Sequence, residues 1–162
     1  MNKLNQLYLR MVEFDQGYPD LIEHFMKVAL YTYEIGTKEG CDTVERLVAA
    51  ALLHDIGIKV AYEKDGYQTH ALQEYYGPLY AKPLLEHLDY EPSDIDRICF
   101  MIGHHHSYNY VDNLEFQILF EADALVNMIE DHYTEEQKQG LYDHLLKTET
   151  SRFIYHQLSK EH

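Results

Sequence analysis

The strongest constraint on this chain is a run of seven apolar residues, Leu47 to Leu53 (Leu-Val-Ala-Ala-Ala-Leu-Leu), that ends directly on His54-Asp55. The run is far short of the roughly 20 apolar residues that a membrane-spanning helix requires. It predicts instead a helix inside a protein core, with Leu47, Ala50, Ala51 and His54 on one face and a stop near Gly57. An imidazole and a carboxylate are costly to bury unpaired, so something must satisfy both. A divalent cation does so directly, because imidazole nitrogen and carboxylate oxygen are ordinary ligands and the metal's charge compensates the aspartate. Taken alone, the dipeptide fits a hydrogen-bonded structural pair equally well.

The rest of the chain is punctuated as helices, without sustained alternation, internal repeat or low-complexity linker, and reads as one all-α domain over residues 1–162. Leu4, Leu7, Tyr8, Met11 and Val12 form the apolar face of a first helix that Gly17-Tyr18-Pro19 breaks. Asp20 with Glu23 and Asp42 with Glu45 look like capping-box starts of the second and third helices, the second losing its pattern at Gly36 and Gly40. Lys64 to Thr69 reads as a polar loop. Gly77-Pro78 is expected to interrupt the next helix, with Pro78 in the first turn of its successor, and Pro83 marks a kink or later start. Ser93 with Asp96 opens a helix whose stripe of Ile95, Ile98, Cys99 and Ile102 leads into His104-His105-His106. A helix from Leu114 to about Asp131 completes a motif core at about 20–131. Two packing helices follow, at roughly 135–146 and 150–159.

Charge narrows the function classes. Lys+Arg number 13 and Asp+Glu 28, a formal net charge of −15, so a nucleic-acid duplex would meet mostly like charge. An acidic protein that binds a small phosphate ester needs a local cation, and a bound metal supplies one. The amino terminus has no apolar stretch of a secretory signal, and Cys41 and Cys99 form no disulfide framework, so a cytoplasmic, reducing setting without membrane attachment is the expectation. Eleven histidines, several inside apolar stretches, direct attention to ligation.

Two other predicted helices carry ligand-type residues in apolar contexts: His24 in Leu-Ile-Glu-His-Phe-Met-Lys-Val and Asp123 in Ile-Leu-Phe-Glu-Ala-Asp-Ala-Leu-Val. Helical bundles build metal sites in this way, from side chains on facing helices. The order His24, His54-Asp55, Asp123 resembles the H…HD…D signature of the HD-domain metal-dependent phosphohydrolase superfamily, over about 100 residues. Ala-Ala-Leu-Leu-His-Asp-Ile-Gly-Ile-Lys is similar to that family's central helix and turn, and Glu-Ala-Asp-Ala-Leu-Val to its final aspartate helix. The resemblance implies an all-helical bundle in which His24, His54, Asp55 and Asp123 ligate one divalent ion (Mn, Mg, Co, Ni, Fe or Zn) whose water attacks phosphorus.

The histidine triplet bears on a second metal. Continuing the Ile95–Ile102 stripe by three and four residues reaches His105 and His106, while His104 falls near the opposite side. His105 and His106 look like the paired histidines of superfamily members that hold two or three metals or contact phosphate; solvated loop histidines are the alternative. Multinuclear members carry a further histidine between the two motifs, and the stretch near Gly77-Pro78 has no obvious one. Glu74 is the oxygen-ligand candidate there, with His70 nearby, so one metal is expected and a second stays open. Lys59, after the His-Asp turn, is a candidate phosphate contact or else an exposed lysine at a helix end. Tyr108 and Tyr110 are candidates to line a nucleotide pocket, though packing is the commoner role of tyrosine. His87, His132, His144, His156 and His162 are expected on solvated faces.

The function expected from the resemblance is hydrolysis of a small anionic phosphate ester or pyrophosphate, nucleotide-like, with Asp55 or a neighbouring histidine accepting a proton. The alternatives are a di-iron oxygenase of the His-Asp type, which needs two metals, and a metal-stabilised nucleotide-binding module without turnover.

Overall fold

The apolar run forms α3 (Val44–Leu53), and every side chain from Leu47 to Leu53 is buried. Around it, in the computed structural model that describes residues 1–160, stand α1 (Lys3–Phe14), α2 (Pro19–Lys38), α6 (Pro92–Ile102) and α7 (Leu114–Glu130). Burying each large aliphatic side chain of this layer contributes about 1.5–3 kcal/mol, and small alanines at 49, 50 and 51 let the neighbouring helices approach closely. The α4 helix (Gly57–Asp65) and α5 (His70–His87) extend the bundle on one side, and α8 (Glu135–His144) and α9 (Glu149–Leu158) close it on the other, α9 resting on α7 and α2. No strand occurs among the described residues, so the fold is an all-α bundle, and no helix among them is long and apolar enough to cross a membrane. His162 lies outside the described residues.

The C-terminal helices are fastened by a buried carboxylate. Glu121 on α7 accepts from Thr148 Oγ1 at 2.6 Å, Thr148 N at 3.0 Å and Gln117 Nε2 at 2.9 Å, which satisfies a charge that is wholly buried.

Several sequence expectations are corrected. The third helix ends at Leu53, and Gly57, read as its stop, instead opens α4. Gly77-Pro78 does not interrupt a helix, and Pro83 neither starts nor breaks one: α5 runs through both prolines from His70 to His87. Packing explains the glycines. A Cβ on Gly57 would lie 2.7 Å from the Gln73 carbonyl oxygen, and one on Gly77 would lie 2.5 Å from Ile102 Cγ2, so these glycines set the close crossing of α4 on α5 and of α5 on α6. Gly36 sits inside α2, where a Cβ would meet Val44 Cγ2 at 3.2 Å, and Gly40, at φ 71°, ends the segment. The capping-box readings at Asp20, Asp42 and Ser93 mark the right neighbourhoods, but none supplies the cap: the N-caps there are Tyr18, Thr43 and Glu91, without side-chain capping bonds. Side-chain caps come from Asn2, Thr69, Asn113, Thr134 and Thr148.

Candidate metal centre

The elements around α3 deliver four ligand-type side chains to one point. His24 comes from the second turn of α2, His54 and Asp55 from the turn that follows α3, and Asp123 from the middle of α7. His24 Nε2 lies 3.2 Å from His54 Nε2, 3.4 Å from Asp55 Oδ2 and 3.2 Å from Asp123 Oδ1. His54 Nε2 lies 3.4 Å from both of those carboxylate oxygens. Donor atoms each about 2.1 Å from a common cation stand roughly 3.0–3.4 Å apart, so these five separations fit a divalent ion, with His24, His54 and Asp55 as the mutually close group and Asp123 within 3.4 Å of both imidazoles.

The outward nitrogens decide how the rings must be used. His24 Nδ1 donates to Glu130 Oε2 at 2.8 Å, and His54 Nδ1 donates to the Ala51 carbonyl at 2.8 Å. With Nδ1–H committed, each Nε2 turns a lone pair inward, and two lone pairs 3.2 Å apart require a proton or a cation between them. Glu130 is itself held by Lys27 Nζ at 3.1 Å, and Asp123 Oδ1 accepts from Asn127 Nδ2 at 3.0 Å. This outer layer fixes ligand orientation and raises imidazole basicity.

Electrostatics favour the same occupant. Burial opposes charge on all four residues, yet opposite charge outweighs it. His54 is raised well above an ordinary histidine by Asp55 and Asp123, and His24 is raised through Asp123; Asp55 and Asp123 are held below the usual carboxylate range, chiefly by His54. Protons held on the imidazoles balance the two carboxylates, and a bound cation would displace them.

A second group shares Asp55. Its Oδ1 faces His105 Nε2 at 2.9 Å, and His105 Nδ1 donates to the Ile102 carbonyl at 2.7 Å, so a proton or a cation is again required between nitrogen and carboxylate. His106 completes this group of ligand-type residues. Its Nε2 donates to Gln73 Oε1 at 2.6 Å, its ring stacks on that of His70 at 3.8 Å, and burial pushes its pKa down to about 3. The helix ends at Ile102, so the turn through Gly103, not continued helical phase, swings His105 inward. His104 faces away, donating to the Phe100 carbonyl.

The remaining sequence candidates have other engagements. Glu74 accepts from His106 N at 3.0 Å and Ser107 Oγ at 2.9 Å, and so braces the histidine turn. Lys59 is largely buried, donates to the Phe14 carbonyl and lies 5.3 Å from the Phe14 ring centroid. Tyr108 donates to Gln117 at 2.7 Å, and Tyr110 packs on His104. Three residues that sequence reasoning missed support the site: Gln73, Asn127 and Glu130. Asp123, Asn127 and Glu130 are spaced i, i+4, i+7 on one face of α7, a signal that was available.

The HD domain family profile matches residues 21–128, from just before His24 to just beyond Asp123. Among solved structures, a predicted HD superfamily hydrolase from an uncultured Thermotogales bacterium is 25% identical, with a TM-score of 0.72 over 94% of this chain and 83% of that one. No curated protein matches the sequence. The matched span encloses the converging residues His24, His54, Asp55 and Asp123 and the helices that carry them, and the chain belongs to the HD domain family.

Proposed function

We propose that this protein is a metal-dependent hydrolase of a small phosphate ester or pyrophosphate, nucleotide-like, with one divalent ion held by His24, His54, Asp55 and Asp123. The observation that carries the reading is the convergence of four donor atoms whose outward partners leave both Nε2 atoms free for a cation. A bound divalent ion supplies a water of lowered pKa and neutralises charge on phosphoryl oxygens. The chain's own residues do the rest. Glu130 and the Ala51 carbonyl hold the imidazoles in register, Asn127 holds Asp123, and His105, hydrogen-bonded to Asp55, is placed to hold or move a proton at its Nε2. In a chain of net charge −15, the centre is where an anionic substrate finds positive charge. The free thiols Cys41 and Cys99 suit a reducing, cytoplasmic setting.

Phosphomonoesters, nucleotides and cyclic dinucleotides assayed with Mn²⁺, Mg²⁺, Co²⁺ and Ni²⁺ test the reading: turnover of at least one class is expected, and none from metal-loaded protein contradicts it. The sharing of Asp55 between two ligand groups favours one alternative, a di-iron oxygenase. Two irons per chain and oxygen consumption after anaerobic iron loading would select it.

A further inference from the structure

Helix α5 lays one face against the histidine turn. Gly77, whose missing Cβ lets α5 approach Ile102 at the end of α6, shares that face with His70, Gln73 and Glu74 at helical spacing. All three side chains hold His106. His70 stacks on its ring, with centroids 3.8 Å apart and planes 5° from parallel; Gln73 Oε1 accepts from its Nε2 at 2.6 Å; and Glu74 Oε1 accepts from its backbone amide at 3.0 Å. Gln73 is only 3% exposed, and its own Nε2 donates to Gln68 Oε1, which turns the oxygen toward His106.

The two adjacent histidines therefore stand in different states. His105 Nε2 faces a carboxylate oxygen of Asp55 at 2.9 Å, and the charge there suits a cation in place of the shared proton. His106 Nε2 faces a neutral amide oxygen, and its N–H is what satisfies that buried amide. Glu74, the other carboxylate on this face of α5, is spent on His106 N and on Ser107 Oγ at 2.9 Å. The first group sets two carboxylates, Asp55 and Asp123, beside two imidazoles. The group of Asp55, His105 and His106 has one carboxylate, and that one is shared with the first. Such a donor set does not fit a second divalent ion.

We propose that Gln73 sets the number of metal ions at this centre: a neutral amide at position 73 holds His106 by its Nε2 and leaves the second group short of a carboxylate, so the centre takes one divalent ion and His105 stays hydrogen-bonded to Asp55. The assignment rests on the metal centre of the reading above and speaks against the two-iron alternative.

Gln73→Glu supplies the absent carboxylate at nearly constant shape. Equilibrium dialysis of the full chain against Mn²⁺, with metal analysis, is expected to give one tightly held ion for wild type and two for the variant, the second held about tenfold or more tightly than wild type holds it. Imidazole ¹⁵N NMR of wild type titrated with Zn²⁺ needs no variant: the His106 Nε2–H is expected to persist beyond one equivalent. Two tightly held ions in wild type, loss of the His106 Nε2 proton at the second equivalent, or a folded variant that still holds one ion overturns the assignment. A one-ion wild type that hydrolyses no phosphate ester overturns the phosphohydrolase reading and leaves the role of Gln73 standing.

Discussion

Asp15 caps the end of α1, its amide donating to the Met11 carbonyl at 2.9 Å, and its side chain is wholly buried with neither carboxylate oxygen hydrogen-bonded. The neighbouring ammonium of Lys59 is spent on the Phe14 carbonyl and sits 3.7 Å from Glu63. Burial therefore dominates and pushes the Asp15 pKa from 3.8 up to about 7, with Lys59 pulling it down and Glu63 and Asp55 pushing it up. A folded pKa above the unfolded one means that the native state holds the proton longer. Below about pH 4 both states are protonated and Asp15 costs nothing; the cost grows through the interval between the two pKa values and is complete above about pH 7. About three pH units at about 1.36 kcal/mol each set an upper bound of about 4 kcal/mol, which solvent and side-chain relaxation reduce to about 2. Asp15→Asn removes the ionisable group at nearly constant shape. Relative to wild type, it is expected to gain about 1.5–3 kcal/mol between pH 5 and pH 8, or roughly 5 °C in Tm. Urea unfolding followed by circular dichroism, with chelator present throughout, measures the difference. A stability difference independent of pH would refute the reasoning, because it would mean that native Asp15 ionises like an exposed carboxylate.

Two further substitutions probe the packing and the outer layer of the site. Gly57→Ala sets a methyl group against the Gln73 carbonyl oxygen and the Gly77 amide, backbone atoms that yield only if α4 and α5 separate, so a loss of about 3 kcal/mol is expected. Gly77→Ala meets Ile102 Cγ2, a side-chain atom held by a stiff β-branched rotamer in α6, and should also destabilise, through the α5–α6 contact; an unchanged urea midpoint for Gly57→Ala would count against the backbone argument. Glu130→Gln replaces the carboxylate that accepts from His24 Nδ1 and is expected to weaken Mn²⁺ binding about 10- to 100-fold with the fold intact, measured by calorimetry. Unchanged affinity would show that Glu130 does not tune His24.

The fold class was legible because burial wrote itself into composition: seven consecutive apolar residues ending in His-Asp, and ligand-type residues set into apolar stretches on two other helices. Those contexts marked His24, His54, Asp55 and Asp123 as buried ligand-type residues, and the resemblance to the HD-domain signature joined them into one set. The α4 helix was not legible, because Gly57 carries the usual mark of a helix end while serving as a contact point for Gln73 and Gly77. Pro78 and Pro83 misled for a related reason, since tertiary packing of α5 on α4 and α6 outweighs the loss of two helical hydrogen bonds. His105 reached Asp55 through a turn at Gly103 that periodicity does not describe. Glu130 and Asn127 share a helical face with Asp123, yet each is an ordinary polar residue until the position of His24 is known.

The most direct test of the account is equilibrium dialysis of the full chain against Mn²⁺ with metal analysis, comparing wild type with His54→Ala and Asp123→Ala. His54 Nε2 and Asp123 Oδ1 both face the centre, 3.4 Å apart. At least one tightly held ion per wild-type chain, lost in both variants while their helical circular dichroism persists, is the predicted result. A wild-type chain that holds no ion, or variants that hold it with wild-type affinity, would contradict the metal centre and the function built on it.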